Sequence, residues 1–182
     1  YETKATYTAT VTASDGTNST IQDITVNINN LNDNSPSFTS NTTFTADENQ
    51  TAIGTVTATD ADGDNVTFTV SGSELAITSA GVLTFSSAPD YEAKSSYSAT
   101  VTASDGTNST TQDITVSVNN VNDNSPVITS ASSFNLDENQ TAIGTVTATD
   151  ADGDNVTFTV SGSELAITSA GVLTFVSAPD YE

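Results

Sequence analysis

Apolar and polar side chains alternate along most of this chain with a period of two residues. In one clear run, Tyr97, Ala99 and Val101 alternate with serines and threonines. Turn residues such as Asp-Gly interrupt the alternation about every dozen residues, and no segment of useful length has a helical period. The pattern therefore predicts an all-β protein whose strands are each buried on one face.

Residues 37–126 contain seven such strands. In the last of them, Ile114, Val116 and Val118 mark the face that we expect to be buried. Seven short strands separated by turns are typical of a β-sandwich. The predicted strands comprise residues 38–44, 51–59, 65–70, 74–78, 82–85, 97–103 and 111–119.

The chain repeats itself with a period of 90 residues. The pair Tyr1-Glu2 returns as Tyr91-Glu92 and again as Tyr181-Glu182. Residues 47–85 return unchanged as residues 137–175. A fixed period of this kind is the signature of a tandem array. We therefore expect the 182 residues to be a window onto a longer array.

Two copies of the segment Asn-x-Asn-Asp-Asn-Ser-Pro, ending at Pro36 and Pro126, mark the junctions between repeats. Each copy follows an alternating strand pattern and closes on a proline, which favours an extended residue before it. The junctions predict three domains. These are the C-terminal part of one repeat at 1–36, a complete repeat at 37–126 and the N-terminal part of the next at 127–182.

The composition is strongly acidic, with 23 acidic residues against 2 basic ones and a formal net charge of −21. Such a surface repels nucleic acid and anionic membranes, so neither is expected as a partner. The absence of cysteine and histidine excludes a thiolate zinc site and a triad built on imidazole. No apolar run approaches the roughly 20 residues that span a bilayer, so any export signal or anchor is expected outside this segment.

Acidic and amide side chains are concentrated in a few loops near the expected domain ends. Hard cations such as calcium need about six to eight oxygen ligands from several segments. Taken singly, Asp62-Gly63 and Asp105-Gly106 are explained as tight turns. Asp60-x-Asp62-x-Asp64 begins like an EF-hand loop, but Asn65 replaces the required glycine and Ser71 stands where the bidentate glutamate belongs.

Taken together, these clusters resemble the extracellular cadherin repeat in their order and spacing. The resemblance covers the whole of residues 37–126 and implies tandem seven-stranded Greek-key β-sandwich domains, cadherin-like and immunoglobulin-like in fold. The short, Thr-rich, nearly identical units are similar to the cadherin-like arrays of large bacterial surface proteins. The matching elements are Glu48, Asp60-x-Asp62, Asp90-x-Glu92, Ala103-Ser104-Asp105-Gly106 and Asn122-Asp123-Asn124 before Ser-Pro.

The resemblance implies that calcium ions are held between consecutive domains. At the junction after residue 126, two ions would be held from the upstream side, with the carbonyl of Val121 and the carboxylate of Asp152 helping. The upstream ligands would be Glu48, Asp90, Glu92 and Asp123, and a third ion would be held by Asn122, Asn124, Asp150 and Asp152.

The same resemblance implies a second set of ligands at the junction after residue 36. Those present in the chain would be Glu2, Asn32, Asp33, Asn34, Asp60, Asp62 and Asp105. Residues that would face junctions outside the chain are Asp15 on the upstream side and Glu138, Asp180 and Glu182 on the downstream side.

The chain departs from the family pattern at its junctions and in its aromatic residues. The family often has aspartate where Asn30 and Asn120 stand, so each junction lacks one carboxylate. The chain has no tryptophan, so the strand-exchange adhesion of classical animal cadherins has no anchor here.

The leading hypothesis is a calcium-binding structural and adhesive repeat of a rod-like extracellular, cell-surface or filament protein. Its partners would be calcium ions, neighbouring repeats and, for adhesion, further copies or cell-surface proteins and glycans. An alternative is a carbohydrate- or surface-binding module, because Thr55-x-Thr57-x-Thr59 and Thr67-x-Thr69 place hydroxyls on outward faces, although threonine is also a good strand former. Asp90 and Glu92 form a carboxylate pair, but no cleft or second catalytic segment is evident, so an enzyme is not expected.

Overall fold

A computed structural model describes residues 1–180 and 182 of the chain. Within these residues every regular element is a β-strand and no helix occurs. The prediction of an all-β protein is therefore confirmed. The chain divides into two compact units, Tyr1–Asn119 and Asn120–Glu182. The domain boundaries at residues 36 and 126 stay a prediction.

The first unit contains strands β1 to β11, and the second contains β12 to β16. In the first unit the strands are β1 (Thr6–Ser14), β2 (Ser19–Asn27), β3 (Ser37–Phe38), β4 (Thr43–Asp47), β5 (Ala52–Thr55), β6 (Ala58–Thr59), β7 (Thr67–Val70), β8 (Leu75–Ile77), β9 (Val82–Phe85), β10 (Ser96–Ser104) and β11 (Ser109–Asn119). In the second unit they are β12 (Val127–Ile128), β13 (Ala142–Thr145), β14 (Ala148–Thr149), β15 (Leu165–Ile167) and β16 (Val172–Phe175).

The strands β3 to β11 form one β-sandwich. One layer is a four-stranded sheet in the order β4-β11-β10-β7, in which β4 runs parallel to β11. The other layer contains the ladder β5-β9-β8 and the pair β3-β6. Apolar side chains from both layers form a single core, as the alternation predicts. Its buried members are Ala46, Val56, Phe68, Leu75, Leu83, Phe85, Val101, Ala103, Ile114, Val116 and Val118.

Two of the seven predicted strands are broken in the structure. The segment 38–44 splits into β3 and β4 because its first part pairs with β6 and its last part with β11, in the other layer. The segment 51–59 splits at Val56, which is fully buried and donates its backbone N–H to Gly81 O at 2.8 Å. The first part of each segment therefore pairs in one ladder and the last part in another. An uninterrupted alternation of apolar and polar residues does not reveal this change of partner.

The first strands of the chain, β1 and β2, form an antiparallel hairpin with no further strand beside it. All residues of both strands are exposed. The second unit contains the pair β12-β14 and the ladder β13-β16-β15. These repeat the pairings β3-β6 and β5-β9-β8, including the register shift next to Gly54, which recurs next to Gly144.

Candidate metal centre

The loop at residues 30–34 is fastened to the turn that follows β6. The Oδ2 atom of Asp62 accepts hydrogen bonds from the backbone N–H of Asn34 at 2.8 Å and of Asp33 at 3.0 Å. Its Oδ1 atom accepts a third from the Asn34 side-chain amide at 2.9 Å. These bonds, above all the one from the Asn34 backbone, lower the pKa of Asp62. The carboxyl group is therefore held in its charged form, in which it can bind a cation.

Asn30 has a structural role that an aspartate could not fill. Its side-chain amide donates a hydrogen bond to the backbone oxygen of Asp62 at 2.7 Å. In the second unit, Asn120 donates in the same way to the backbone oxygen of Asp152 at 2.8 Å. An ionised aspartate has no proton to donate. Asparagine at this position therefore supplies no carboxylate, but it provides a hydrogen bond that joins the loop to the turn.

The turn Asp60-Ala61-Asp62-Gly63-Asp64 concentrates three carboxylates. One oxygen from each of Asp60, Asp62 and Asp64 lies within 4.8 Å of the other two. Asp60 Oδ1 accepts the backbone N–H of Asp62 at 2.9 Å. Its Oδ2 atom is buried and receives no hydrogen bond from any residue that the structure describes. A buried carboxylate oxygen without a donor is costly unless a cation contacts it.

A second group of carboxylates comes from three separate segments of the first unit. Glu2, Asp33 and Asp62 each present one oxygen within 4.8 Å of the other two. The two lysines of the chain make their contacts elsewhere: Lys4 with Tyr7, and Lys94 with Glu74 and Tyr97.

Asn108 joins the junction loop to the turn between β10 and β11. Its side-chain amide contacts Asn32 Oδ1 at 2.8 Å, the backbone oxygen of Asn34 at 3.0 Å and Asp105 Oδ2 at 3.4 Å. The repeat pattern alone did not predict this residue as part of the junction. The available signal was its position three residues after Asp105, where an aspartate accepts the backbone N–H in a side-chain-capped turn.

The carboxyl group of Asp105 is held in the same turn. Partial burial raises the pKa of Asp105, but hydrogen bonds from the backbone N–H groups of Asn108 and Thr107 lower it by more. The pKa of Asp105 therefore lies below its usual value. Both N–H groups donate to Oδ1, at 2.6 Å and 2.7 Å. The Oδ2 atom of Asp105 faces the junction loop, where it lies 3.4 Å from the side-chain nitrogen of Asn108.

The structure thus brings together the residues named for the junction after residue 36. Some of them contact Asp62, others contact Asn108, and the rest belong to the two groups of close carboxylates. The residues joined in this way are Glu2, Asn32, Asp33, Asn34, Asp60, Asp62 and Asp105. The donors are hard carboxylate and amide oxygens from separate segments, and one of them, Asp60 Oδ2, is buried without a hydrogen-bond donor among the described residues. This donor set fits a hard divalent cation such as calcium.

The opposite end of the complete repeat carries another group of predicted ligands. Glu48 is only 4% exposed, and its Oε2 atom accepts the backbone N–H of Tyr91 at 2.7 Å. Its own N–H donates to the backbone oxygen of Asn119. Asp90 Oδ1 accepts the N–H of Ala93 at 3.2 Å, while Glu92 is exposed. A buried glutamate at a domain end is uncommon unless it is paired or binds a cation.

The second unit repeats the loop-to-turn contacts of the first. Asp152 Oδ2 accepts the N–H of Asn124 at 2.8 Å and of Asp123 at 3.1 Å, and Asp150 Oδ1 accepts the N–H of Asp152 at 3.0 Å. Carboxylate oxygens of Asp150, Asp152 and Asp154 lie within 4.8 Å of one another. The remaining predicted ligands of this unit are exposed: Val121, Asn122, Glu138, Asp180 and Glu182.

Asp15, which sequence analysis assigned to a junction further upstream, lies in the turn between β1 and β2. Its Oδ1 atom accepts the N–H of Asn18 at 2.7 Å and of Thr17 at 2.8 Å. These two bonds lower the pKa of Asp15. The turn therefore has the geometry of the Asp105 turn.

The threonine row of the alternative hypothesis is interrupted. Thr55 ends β5, and Thr57 lies outside both β5 and β6. The hydroxyl of Thr57 is 2.8 Å from that of Thr39, and its backbone oxygen accepts the Thr39 N–H. The three hydroxyls consequently do not form one regular outward row on a single strand.

Comparison with solved structures defines the class of protein. The chain is similar to protocadherin gammaB7 repeats EC3-6, with a TM-score of 0.76, 22% identity and coverage of 97% of this chain and 51% of that one. It is similar to mouse cadherin-23 EC22-24, with a TM-score of 0.72 and 26% identity, and to human CDH23 EC21-23, with a TM-score of 0.75 and 26% identity. In both cases the alignment covers 98% of this chain and 66% of the other. The fold is that of cadherin extracellular repeats.

The family comparison agrees with this class. Residues 32–119 match the family model described as a bacterial Ig domain. The resemblance to a bacterial-type cadherin-like repeat and the Greek-key β-sandwich fold are thereby confirmed. The chain spans about half of the protocadherin structure that it matches. No curated protein matches it.

The matched solved structures are cadherin and protocadherin repeats, and the matched family model is a bacterial Ig domain. Within the described part of the chain, no helix has the length and hydropathy that a bilayer crossing needs.

Proposed function

We propose that this chain is a calcium-binding structural and adhesive segment of an extracellular, cell-surface or filament protein. In this proposal, calcium ions at the junctions hold consecutive repeats in line and give the parent protein a rod-like form. The adhesive partners would be further copies or cell-surface proteins and glycans.

The observation that carries the proposal is the convergence of Glu2, Asp33 and Asp62, whose carboxylate oxygens lie within 4.8 Å of one another. Like charges at this separation repel unless a cation neutralises them. The Oδ2 atom of Asp60 belongs to the adjoining turn. It is buried and accepts no hydrogen bond from any described residue. Calcium accepts many carboxylate oxygens in flexible geometry, whereas magnesium demands a tight octahedron and gives up water reluctantly.

The 90-residue period extends the proposal to the junction after residue 126. Adding one period to Glu2, Asp33 and Asp62 gives Glu92, Asp123 and Asp152. We propose that these residues bind calcium there in the same way. The other ligands proposed for this junction are Glu48, Asp90, the carbonyl of Val121, Asn122, Asn124 and Asp150.

Thermal unfolding of the chain with calcium, magnesium and chelator tests the metal site. At a calcium concentration a hundredfold above its dissociation constant, each independent site should stabilise the fold by about 2.7 kcal/mol. Asp62→Asn should remove much of the calcium-dependent rise in Tm. Asp113→Asn is the control, because Asp113 lies on β11 and bonds to the Thr100 hydroxyl rather than to the junction. An unchanged Tm on chelation would contradict the proposal.

The rod-like role needs a separate measurement. When both neighbours contribute ligands to one ion, a rotated domain withdraws its carboxylates and loses coordination energy, so ion binding is coupled to orientation. Small-angle scattering of two or more complete repeats should give a longer and more uniform particle in millimolar calcium than in chelator. The same maximum dimension in both conditions would exclude the rod even if calcium binds.

A further inference from the structure

The loop at residues 30–34, the junction loop, is bonded to the repeat that follows it. Four hydrogen bonds of 2.7–3.0 Å join it to Asp62, one from the side-chain amide of Asn30 and three from backbone and side-chain N–H groups further along the loop. Two more, of 2.8 Å and 3.0 Å, come from the side-chain amide of Asn108. In the part of the chain that the structure describes, no hydrogen bond joins the junction loop to β1 or β2. The attachment of the loop is therefore one-sided.

The second unit repeats this attachment. Its own loop at residues 120–124 makes the same four hydrogen bonds, of 2.8–3.1 Å, to Asp152. The compact unit begins at Asn120 rather than after Pro126. Both the hydrogen bonds and the division of the chain therefore group the loop with the strands that follow it.

The change from upstream to downstream attachment falls between two neighbouring residues. Asn119 ends β11, and its backbone oxygen accepts the N–H of Glu48 at 3.2 Å. The next residue, Asn120, donates its side-chain amide to the downstream turn at 2.8 Å. The peptide between these two residues is thus the point at which the chain passes from one repeat to the next.

The hydrogen bonds of the junction loop need no ion, because every donor and every acceptor belongs to the chain itself. Three of them go to the carboxylate of Asp62. Hydrogen bonds to an ionised acceptor are roughly twice as strong as neutral ones. On the upstream side, carboxylate oxygens of Glu2 and Asp33 lie within 4.8 Å of each other, and they repel unless a cation neutralises them. Removing a cation therefore weakens the upstream connection and leaves the downstream one intact.

Two side-chain amides hold the two ends of the junction loop. Asn30 is its first residue and donates to the backbone oxygen of Asp62. Asn108 donates to Asn32 Oδ1 and to the backbone oxygen of Asn34, near the other end. An ionised aspartate in place of Asn30 or Asn108 could not donate these bonds.

We propose that the junction loop stays docked on the downstream repeat without calcium, held by Asn30 and Asn108, and that consecutive repeats bend just before Asn30 and Asn120. Calcium then adds the upstream carboxylates to a half-site that is already formed, a step that rests on the proposed function. The docking itself does not depend on the ion, so it is measured in chelator.

Amide hydrogen exchange of the 182-residue chain, followed by NMR in chelator, tests the docking. The amides of Asp33 and Asn34, which donate to Asp62, should be protected from exchange. Asn30→Ala and Asn108→Ala should each speed the exchange of these amides by about two- to tenfold, the range expected for the loss of a hydrogen bond. Unprotected loop amides in chelator, or equal exchange in the variants and the unaltered chain, would overturn the proposal.

Asn18→Ala is the matched control for Asn108→Ala. Asn18 precedes Asn108 by one 90-residue period and occupies the same position in the turn between β1 and β2. Its loss should leave the exchange of the junction loop unchanged. The amides of β11 should keep their protection in every variant, which shows that the repeat remains folded. Asn30 is exposed, so Asn30→Ala decides the test by itself if Asn108→Ala destabilises the core.

Pairs of spin labels locate the bend, since the chain has no cysteine of its own. In chelator, the distance between labels at Val121→Cys and Ala166→Cys, both in the second unit, should be narrowly distributed. The distance between labels at Val121→Cys and Thr111→Cys, which lies on β11, should be broadly distributed. Equal widths, or the reverse order, would mean that the loop moves on the downstream repeat and would overturn the proposal.

Added calcium separates the docking from the proposed function. If calcium joins the repeats, it should narrow the second distance distribution and raise Tm. Loop amides that are protected in chelator, with no effect of calcium on Tm, would support the docking and contradict the proposed function. Loop amides that become protected only when calcium is added would overturn the docking and support the metal site.

Discussion

Residues 67–70 and 157–160 have the same sequence but different structures. The first form β7, and Phe68 is 7% exposed within the core. The second form no strand, and the counterpart Phe158 is only partly buried. The difference is that β7 pairs with β10, whereas no strand among the described residues pairs with residues 157–160. A favourable strand sequence therefore becomes a strand here only when a partner supplies its hydrogen bonds and covers its apolar side.

Other identical segments keep the same structure in both units. The ladder β5-β9-β8 recurs as β13-β16-β15 with the same register. Gly81 and Gly171 both have positive φ, at 87° and 85°. A Cβ atom at either would lie 2.2 Å from a backbone oxygen, that of Val56 or Val146. These elements are preserved because all their partners lie within the same short segment of sequence.

The largest expected effect is the difference in lost stability between a substitution at Phe85 and the same substitution at Phe175. Phe85→Ala should destabilise the complete repeat by about 3–5 kcal/mol, because it opens a cavity in a closed core. Phe175→Ala should destabilise the second unit distinctly less, because Phe175 is only partly buried. Urea unfolding followed by circular dichroism measures both. Equal losses would mean that the two units are packed alike.

A second measurement addresses the edge strands themselves. Amides of residues 67–70 should exchange about a hundredfold more slowly than those of residues 157–160, since local opening costs far less where no partner strand is present. Residue-specific NMR is needed because the two segments are identical in sequence. Similar protection in both segments would contradict the described difference.

The smallest effect concerns acid sensitivity at the two matched turns. The pKa of Asp15 and that of Asp105 are both lowered in the folded chain. A lowered pKa contributes stability that is present above the unfolded value of 3.8 and is lost as the pH falls through the folded value. Asp105→Asn should therefore reduce the acid-induced loss of stability of the complete repeat below about pH 4.

Asp15→Asn should leave the acid response of the complete repeat unchanged, because Asp15 bonds only within its own turn among the contacts described. Carboxyl carbon NMR during an acid titration reports both groups. A normal pKa at Asp105 would contradict the geometry of its turn.

Much of the candidate site could be predicted from the sequence, because its residues recur at fixed positions in a repeat. The loops between the alternating strand segments contain Asp33, Asp62 and Asp105. The structure brings these three residues to one end of the complete repeat. Asn30 and Asn108 could not be assigned in this way. Their role is to donate hydrogen bonds to Asp62 and Asn32, across separations of 32 and 76 residues that no local pattern encodes.

The sequence by itself determined the strand period, the 90-residue repeat, the turns and the acidic loops, because each of these depends on neighbours along the chain. Tertiary structure alone decided that 38–44 and 51–59 each divide between two ladders and that β4 runs parallel to β11. The physical reason is that ladder hydrogen bonds and burial require a partner surface, and a residue cannot encode by itself whether that surface is present.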